Sequence, residues 1–360
     1  MPTTKDGRVT EPAGHSALWL DSPGGALRTG SAPVPRAGPG EVVVRARAVA
    51  LNPIDAMGRV ARRVVLPWLR YPAVLGSDVA GEIVAVGPGV DGLKVSDRVA
   101  GYAVGVEKSR NSPAEGAFQT HVVLLQHMCA TLPDTVSFEE AAVLPLALTT
   151  AASGLFDEDQ LALDLPTATP PQRHETVLIL GGATSVGMNA IQLARNAGYK
   201  VVATASTRNF PRLHGLGAGV VVDYHDSDAI EQIVHQLQGR QLVGTLAVAS
   251  GTLRQALAVN SGNVTGTKRI ACAQPTPDTK IRGVLARRRA IHVSTIWGGN
   301  PKDTAVGPAV WNTFLPAALT DHRYRAAPTP RVTGHGLDAI PDGLALLRKG
   351  VSAEKLVVTL

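Results

Sequence analysis

Residues 177–205 read VLILGGATSVGMNAIQLARNAGYKVVATA, and this stretch decides the fold. It opens on a short, wholly apolar run, 177–180, as expected of a strand that is buried on both faces. A glycine-bearing turn follows, and the residues up to Arg195 then have helical spacing, which Gly198 ends. Residues 200–205 are the next strand-like run. The stretch therefore predicts a βαβ unit with parallel strands.

The surrounding sequence extends this unit into an α/β domain beside a β-rich one. The runs 219–223 and 245–249 continue the alternation, which predicts a doubly wound parallel sheet. A proline-bearing linker over 157–174 precedes that sheet, and Ser137 with Glu140 forms a capping box that begins a helix. The earlier chain predicts a β-rich, partly closed domain, with strand-like runs at 42–49, 79–87 and 117–124.

The two ends of the chain lie outside this pattern. Residues 1–16 are polar and bear glycine and proline, which predicts a loose leader. After about residue 310 the alternation is lost, and the chain ends in the apolar run 355–360.

Composition limits the classes of function. The chain has 360 residues, of which 44% are hydrophobic and 18% charged, so it is expected to form one large or two ordinary globular domains. No apolar run approaches the roughly 20 residues of a membrane span, and the start lacks an apolar signal region. We therefore expect a cytoplasmic protein. Cys129 and Cys272 alone provide neither a disulfide framework nor a structural zinc cluster.

The chain carries a modest positive charge. Lysine plus arginine number 35 against 29 acidic residues, an excess of 6. This favours phosphorylated or acidic partners, but the excess is spread along the chain and forms no arm for nucleic acid.

The turn after the first parallel strand is a candidate anion site. Backbone N–H groups at a helix N-terminus bind a pyrophosphate, and the helix dipole adds to the attraction. The dinucleotide fingerprint G-x-G-x-x-G keeps its first and last glycines here, whereas Thr184 replaces the middle one. The residues assigned to the cofactor are Gly181, Gly182, Thr184, Ser185, Val186 and Gly187.

Two other interpretations of this turn remain open. It is also compatible with a tight turn that binds no ligand. Residues 183–187 approximate the nucleophile elbow G-x-S-x-G of an α/β-hydrolase, but no acid and histidine further along match convincingly, and a hydrolase does not explain the β-rich first domain.

The end of the second parallel strand favours NADPH. A site for NAD usually places an acid about 20 residues on, to bond the ribose 2′-hydroxyl. Here the strand is followed by Ser206, Thr207, Arg208 and Asn209, with no acid. Hydroxyl groups and a guanidinium accept a 2′-phosphate. The alternative is that Arg208 is an ordinary surface charge.

With these pieces in order, the chain resembles the medium-chain dehydrogenase/reductase superfamily over nearly its whole length. The segment 51–55, LNPID, is similar to the family's N-P-x-D segment, and 71–82, YPAVLGSDVAGE, to its P-x-x-L-G-x-D-x-A-G signature. Asp97-Arg98-Val99 follows, with Ser96 where glycine is usual. Further matching segments are 116–118, 144–145 and 351–358.

Within the superfamily, the chain resembles members that work without zinc. Zinc-dependent members carry a cysteine and a G-H-E segment, where this chain has Asn52 to Asp55 and Gly76-Ser77-Asp78. The linker and the turn are similar to those of stand-alone, trans-acting enoyl reductases of polyketide synthases. That branch often has a lysine where this chain has Met57.

The resemblance implies a fold and a set of site residues. The fold is a GroES-like β-rich catalytic domain (1–145 and 310–360) with a Rossmann domain of doubly wound parallel sheet (146–309). Asn52 and the hydroxyls of Thr149 and Thr150 are expected near the nicotinamide, and no metal is expected. Tyr71, Tyr102 and His121 are candidate proton donors. Of these, Tyr71 is assigned to the catalytic site. Tyr224, Ser250 and Lys355 complete the predicted cofactor site.

The implied activity is NADPH-dependent hydride transfer to the β-carbon of an α,β-unsaturated thioester or enone in polyketide-type metabolism. Alternatives are a quinone or 2-alkenal reductase, a C=N reductase or cyclase, and a non-catalytic pathway partner. The thioester is expected as a small molecule or on an acidic carrier protein. Arg62-Arg63 and Arg287-Arg288-Arg289 are candidate docking groups for that carrier, and a homodimer is expected.

Overall fold

A computed structural model describes residues 15–274 and 278–360. Most of the predicted leader lies outside the described residues. Its last two residues correct the prediction, because His15 is only 5% exposed and Ser16 begins the first strand.

The described residues form the following strands and helices. The strands are β1 (Ser16–Leu20), β2 (Leu27–Ser31), β3 (Glu41–Ala50), β4 (Ala73–Val74), β5 (Asp78–Val86), β6 (Arg98–Tyr102), β7 (His121–Leu125), β8 (Cys129–Thr131), β9 (Thr176–Leu180), β10 (Lys200–Ala205), β11 (Val220–Asp223), β12 (Gln241–Ala247), β13 (Thr265–Gly266), β14 (Arg269–Cys272), β15 (His292–Thr295), β16 (Thr329–His335) and β17 (Glu354–Thr359). The helices are α1 (Arg59–Val65), α2 (Phe138–Ala142), α3 (Pro145–Phe156), α4 (Ser185–Asn196), α5 (Phe210–Leu216), α6 (Ala229–Leu237), α7 (Thr252–Ser261), α8 (Thr279–Arg287), α9 (Val306–Pro308), α10 (Leu315–Thr320) and α11 (Ile340–Arg348).

The middle of the chain is a parallel sheet in the order β11-β10-β9-β12-β14-β15, with β13 beside β12. This is the strand order 3-2-1-4-5-6 of a dinucleotide-binding fold. The order reverses between β9 and β12, and ligands of such sheets bind outside the carboxyl ends of the strands at that point. The predicted doubly wound sheet is therefore confirmed.

The remaining strands form two other sheets. One is mixed and runs β16-β17-β3-β5-β6-β8, with β7 also paired to β3. The other has three strands in the order β2-β1-β4. Because β16 and β17 join the mixed sheet, the end of the chain returns to the β-rich part, as predicted from the resemblance. The exact limits of the two predicted domains stay predictions, and the limit near residue 310 falls within the helical turn Ala309–Phe314 that joins α9 to α10.

Two predicted strands begin four residues away from the expected position, for identifiable reasons. β12 begins at Gln241 rather than at residue 245, and the register shift between Leu242 and Gly244 hides its first half from a strand pattern. β7 begins at His121 because the backbone N–H groups of Ala117 and Phe118 donate to Gly76 and Leu75 and not to a neighbouring strand of the mixed sheet.

The capping box before α2 is confirmed. Ser137 Oγ accepts from the Glu140 N–H at 3.2 Å, and the Glu140 side chain accepts from the Ser137 N–H at 2.9 Å. The following helix, α3, packs against α4, so that the two sheets share one continuous apolar core. Within the part of the chain that the structure describes, no helix has the length and apolar character needed to cross a membrane.

Candidate active site

The turn between β9 and α4 has the geometry of a dinucleotide fingerprint. Gly181 has a φ of +92°, which favours glycine, and its N–H donates to Thr204 Oγ1 at 3.0 Å. Thr184 has an ordinary φ of −75° and caps α4: its hydroxyl accepts from the Gly187 N–H at 3.0 Å and donates to the Gly181 carbonyl at 2.8 Å. The residue that departs from the fingerprint therefore stabilises the turn.

The same turn fits a pyrophosphate. A Cβ on Gly187 would lie 2.3 Å from the Gly181 carbonyl oxygen, so only glycine lets α4 start this close to the strand. The N–H groups of Ala183, Ser185 and Val186 donate to no acceptor within the described residues. They lie at the N-terminus of a helix, where the dipole attracts an anion.

A cavity of about 310 Å³ lies at the carboxyl ends of β10 and β11. Arg208 is exposed, and its guanidinium donates to Ser352 Oγ at 3.1 Å. The Tyr224 ring is 43% exposed, and its hydroxyl lies 3.2 Å from Ser206 Oγ. The lining residues are Ser206, Thr207, Arg208, Asp223, Tyr224 and His225. Of the other predicted cofactor residues, Asn209 is 8% exposed, and Ser250 is exposed on the turn that follows β12.

Asp223 and His225 are two residues of this cavity that sequence reasoning did not assign to it. The Asp223 carboxylate accepts from the N–H groups of His225 and Thr207, each at 3.0 Å, and from the His225 ring. The hydrogen bond from the His225 backbone is the largest cause that holds the pKa of Asp223 at about 2. The His225 ring packs on Tyr224 with the centroids 4.1 Å apart. Both residues lie at the carboxyl end of β11, and this position in the sequence could have indicated that they line the cavity.

Asn52 and Lys355 meet in one buried cluster around Asp78. The Asn52 side-chain amide donates to Asp78 Oδ2 at 2.8 Å, and the Lys355 ammonium forms an ion pair with the same oxygen. Lys355 also donates to the Val143 carbonyl at 3.2 Å, and the Leu146 N–H donates to Asp78 Oδ1 at 2.6 Å. Both charged side chains are at most 4% exposed. The assignment of Lys355 to the cofactor stays a prediction. In the structure, Lys355 holds the Asp78 carboxylate that in turn holds the Asn52 side chain.

Asp55 lies beside this cluster and is fully buried. Its carboxyl group accepts from the N–H groups of Asn52 at 2.9 Å and Gly76 at 3.2 Å. Burial is the main cause that raises the pKa of Asp55 to about 7, and the nearby charge of Asp78 raises it further.

The two predicted threonines differ in their surroundings. Thr149 has no exposed surface, and its hydroxyl donates to Pro145 and accepts from the Trp311 indole. Thr150 is half-buried and donates to the Leu146 carbonyl at 2.7 Å. A Cβ on Gly298 would lie 2.4 Å from Thr150 Oγ1, so Thr150 faces the segment that follows β15. Of the two, Thr150 is the hydroxyl placed at the carboxyl edge of the sheet.

The predicted proton donors differ in their surroundings. Tyr71 is half-buried. Desolvation raises the pKa of its phenol, and the positive charges of Arg62 and Arg63 lower it by a smaller amount. Tyr102 donates to Glu107 at 2.6 Å inside the core, and His121 lies near Thr120 in the β-rich part.

The interpretation of Arg62 as a docking group is wrong. Arg62 is 5% exposed, and its guanidinium donates to the carbonyls of Pro23 at 2.8 Å and Asp55 at 3.1 Å. The pair Arg62-Arg63 therefore has only one exposed member, whereas Arg287, Arg288 and Arg289 are all exposed. Across the described ranges, no group of three or more His, Cys, Asp or Glu side chains is placed to hold a metal ion. The expected absence of a metal stays a prediction.

The sequence also matches known proteins. Residues 38–134 match the alcohol dehydrogenase GroES-like domain. The chain is 42% identical to dehydrogenase azaJ of Aspergillus niger, over 91% of this chain and 94% of the relative. It is 34% identical to trans-enoyl reductase himH of Aspergillus japonicus, over 88% of this chain and 89% of the relative.

Solved structures share the whole fold. An alcohol dehydrogenase superfamily protein from Novosphingobium aromaticivorans superposes with a TM-score of 0.75 at 24% identity, covering 96% of this chain and 99% of that one. CurK enoyl reductase superposes with a TM-score of 0.73 at 21% identity, with the same coverage of 96% and 99%. Fold, fingerprint turn and full-length relatives agree, and the chain belongs to the medium-chain dehydrogenase/reductase superfamily of nicotinamide-dependent oxidoreductases.

Proposed function

We propose that the protein is an NADPH-dependent, zinc-free enoyl reductase that reduces the C=C bond of an α,β-unsaturated thioester or enone in polyketide-type metabolism. The observation that carries the nicotinamide chemistry is the turn between β9 and α4, at the point where the strand order reverses, with N–H groups that find no acceptor among the described residues. Relatives named trans-enoyl reductase support the choice of a C=C acceptor.

The preference for NADPH rests on the cavity between β10 and β11. Arg208 supplies a cation there, and Ser206 and Tyr224 supply hydroxyl groups, which together match a 2′-phosphate. The only carboxylate in the cavity lining, Asp223, already accepts three hydrogen bonds from Thr207 and His225. It is therefore occupied within the protein and does not take the place of the acid that bonds a ribose 2′-hydroxyl.

The zinc-free assignment rests on the donor set. The segment that carries the catalytic cysteine in zinc-dependent members holds Asn52 to Asp55 here, and the Asn52 side-chain amide is committed to Asp78. Asp78 is in turn neutralised by Lys355, so the cluster is a satisfied ion pair that offers no free anionic ligand to a cation.

NADPH, when bound, supplies the hydride that the β-carbon of the acceptor receives. Asn52 has two donor hydrogens on its side-chain amide, and Asp78 accepts one of them. We assign the second to the acceptor carbonyl oxygen, where a fixed donor stabilises the enolate charge. Thr150 orients the nicotinamide end of the cleft. Tyr71 remains the proposed donor of the α-carbon proton, because a phenol carries its proton at neutral pH; desolvation raises its pKa further and makes it a weaker acid than a free phenol.

The proposal is tested by supplying NADPH with deuterium on the transferring position of its dihydronicotinamide ring. Crotonyl-N-acetylcysteamine is expected to yield the butyryl product with one deuterium on the β-carbon. Menadione, tested beside it, represents the quinone reductase alternative. Turnover of menadione alone would replace the enoyl reductase by that alternative, and turnover of neither would favour the non-catalytic partner. The carrier protein, the homodimer and the cytoplasmic location stay predictions.

A further inference from the structure

The loop that follows β6 holds two tryptophans at their indole N–H groups. Trp68 Nε1 donates to the Val106 carbonyl at 3.0 Å. Trp297 Nε1 donates to Glu107 Oε2 at 2.7 Å. Val106 and Glu107 are neighbours in sequence. A single loop of the β-rich part therefore holds both Trp68, which also belongs to the β-rich part, and Trp297, which follows the last strand of the parallel sheet.

Glu107 is built into this loop rather than solvated. It is 2% exposed, and its other oxygen accepts from the Tyr102 hydroxyl at 2.6 Å. A Cβ on Gly299 would lie 2.0 Å from Glu107 Oε1, so the segment after β15 lies directly against the carboxylate. Asn111 completes the support by donating to the Trp68 carbonyl at 2.6 Å.

The two rings form a corner. Their centroids are 5.6 Å apart, and their planes meet at 74°. Both side chains are half-buried, so each leaves part of its ring uncovered. Since both N–H groups are used internally, the uncovered parts present carbon and π surface, which binds a flat apolar group in stacked or edge-to-face contact.

The corner lies beside Thr150, the residue to which the proposed function assigns the nicotinamide end of the cleft. Trp297 follows β15 at the carboxyl edge of the parallel sheet, the same edge that carries the turn 181–187. The next residue, Gly298, packs on Thr150, which faces the same segment.

We propose that Trp68 and Trp297 are specificity-determining residues that select acceptors with an aryl or polyene group conjugated to the reacting double bond. Glu107 is the positioning residue that holds the Trp297 ring for this contact. The inference rests on the proposed function, which it deepens by naming the class of acceptor.

Binding without turnover tests the corner. The protein is saturated with NADP⁺, and the Kd values of cinnamoyl- and crotonyl-N-acetylcysteamine are measured by calorimetry. The wild-type protein is expected to favour the cinnamoyl thioester about tenfold, because aromatic contact adds to the area buried. Trp68→Leu and Trp297→Leu, made separately, are each expected to reduce the ratio to about twofold. Trp19→Leu, in the three-stranded sheet, is the matched control and is expected to retain it.

Two variants of Glu107 separate positioning from folding. The amide of Glu107→Gln accepts from Trp297 and donates to the Tyr102 oxygen, so this variant is expected to keep the ratio. Glu107→Leu is expected to lose it while the affinity for NADP⁺ stays unchanged.

The inference is overturned if the wild-type protein shows no preference or binds neither thioester, or if both tryptophan variants keep the tenfold ratio. Failure of the proposed function gives a different result. If the protein oxidises no NADPH but its preference for the cinnamoyl thioester depends on the two tryptophans, the binding role of the corner stands and the proposed reductase activity is wrong.

Discussion

Asn52 combines a proposed catalytic role with hydrogen bonds that hold the residue in place. Its amide gives one N–H to Asp78, and its backbone N–H goes to Asp55. Asp78 holds the side-chain amide and Asp55 holds the backbone of the same residue, so the remaining amide N–H is preorganised. Preorganised donors stabilise developing charge because they need no rearrangement during the reaction.

Replacement of this amide tests its assigned role. We expect Asn52→Ala to lower kcat for crotonyl-N-acetylcysteamine about 10²-fold, the order found for loss of one oxyanion donor. The Kd of NADPH is expected to stay within about twofold, because the phosphate groups bind elsewhere. Stopped-flow turnover and fluorescence titration measure the two quantities. An unchanged kcat would remove Asn52 from the catalytic set.

Asp55 makes folding stability depend on pH. Its folded pKa of about 7 lies above the unfolded value, so between those values the folded state binds more protons than the unfolded state. The contribution of Asp55 is therefore fully present at low pH and is lost as pH rises through the folded pKa. From pH 5 to pH 8 we expect it to lower the free energy of unfolding by about 2 kcal/mol.

Urea unfolding of the wild-type protein and of Asp55→Asn at several pH values checks this expectation. The asparagine does not titrate, so the difference between the two curves isolates Asp55 from the histidines. A difference that does not vary with pH would show that Asp55 is ionised throughout.

At the scale of elements, the turn between β9 and α4 combines packing with ligand geometry. Gly187 lets the helix begin against Gly181, and Thr184 caps it. The N–H groups of Ala183, Ser185 and Val186 take part in neither contact and find no acceptor among the described residues.

Gly187→Ala is expected to disrupt both properties. Its Cβ would meet the Gly181 backbone, so α4 must shift, and overpacking of this kind costs about 1–3 kcal/mol. We also expect NADPH affinity to fall at least about tenfold, because the donors move with the helix. Gly215→Ala is the matched control. Its Cβ meets nothing within 4 Å in α5, and it is expected to stabilise the protein by up to about 1 kcal/mol. Equal effects of the two substitutions on NADPH affinity would contradict this account.

The sequence predicted elements well where a local pattern was sufficient. The run 200–205 coincides with β10, and the capping box before α2 is present. The prediction from sequence failed where contacts with residues distant in sequence determine the local structure. Arg62 turns inward to the carbonyls of Pro23 and Asp55, and β12 contains a register shift. The strand, turn and helix around residues 181–187 were predictable because their residues are consecutive, and the assignment of the turn to a cofactor stays a prediction.

At the scale of the whole molecule, the cluster around Asp78 joins distant parts of the chain. Lys355 belongs to the C-terminal strand β17, Asp78 to β5, and Leu146 to the helix that leads into the parallel sheet. No local pattern predicts this meeting, nor the contact between Glu107 and Trp297. Only motif resemblance placed Asn52 and Lys355 in one site.

Removal of the Lys355 charge is expected to destabilise the whole fold. Lys355→Met leaves the buried Asp78 carboxylate without its cation, a change that costs about 3–5 kcal/mol. The midpoint and slope of urea unfolding measure it. Arg331→Met, at an exposed ion pair with Glu354, is the control and is expected to change stability by less than about 1 kcal/mol. If Lys355→Met instead keeps full stability and weakens NADPH, Lys355 contacts the cofactor directly.

The most direct test of the account is a fluorescence titration of the protein with NADPH and, in parallel, NADH. We expect NADPH to bind at least tenfold more tightly, and Arg208→Ala to weaken NADPH by about tenfold or more while NADH changes by less than about twofold. Arg212→Ala, one helical turn further on, is the control and is expected to leave both affinities unchanged. Equal affinity for the two nucleotides, or equal loss of both in Arg208→Ala, would contradict the 2′-phosphate site. Failure to bind either nucleotide would contradict the reductase itself.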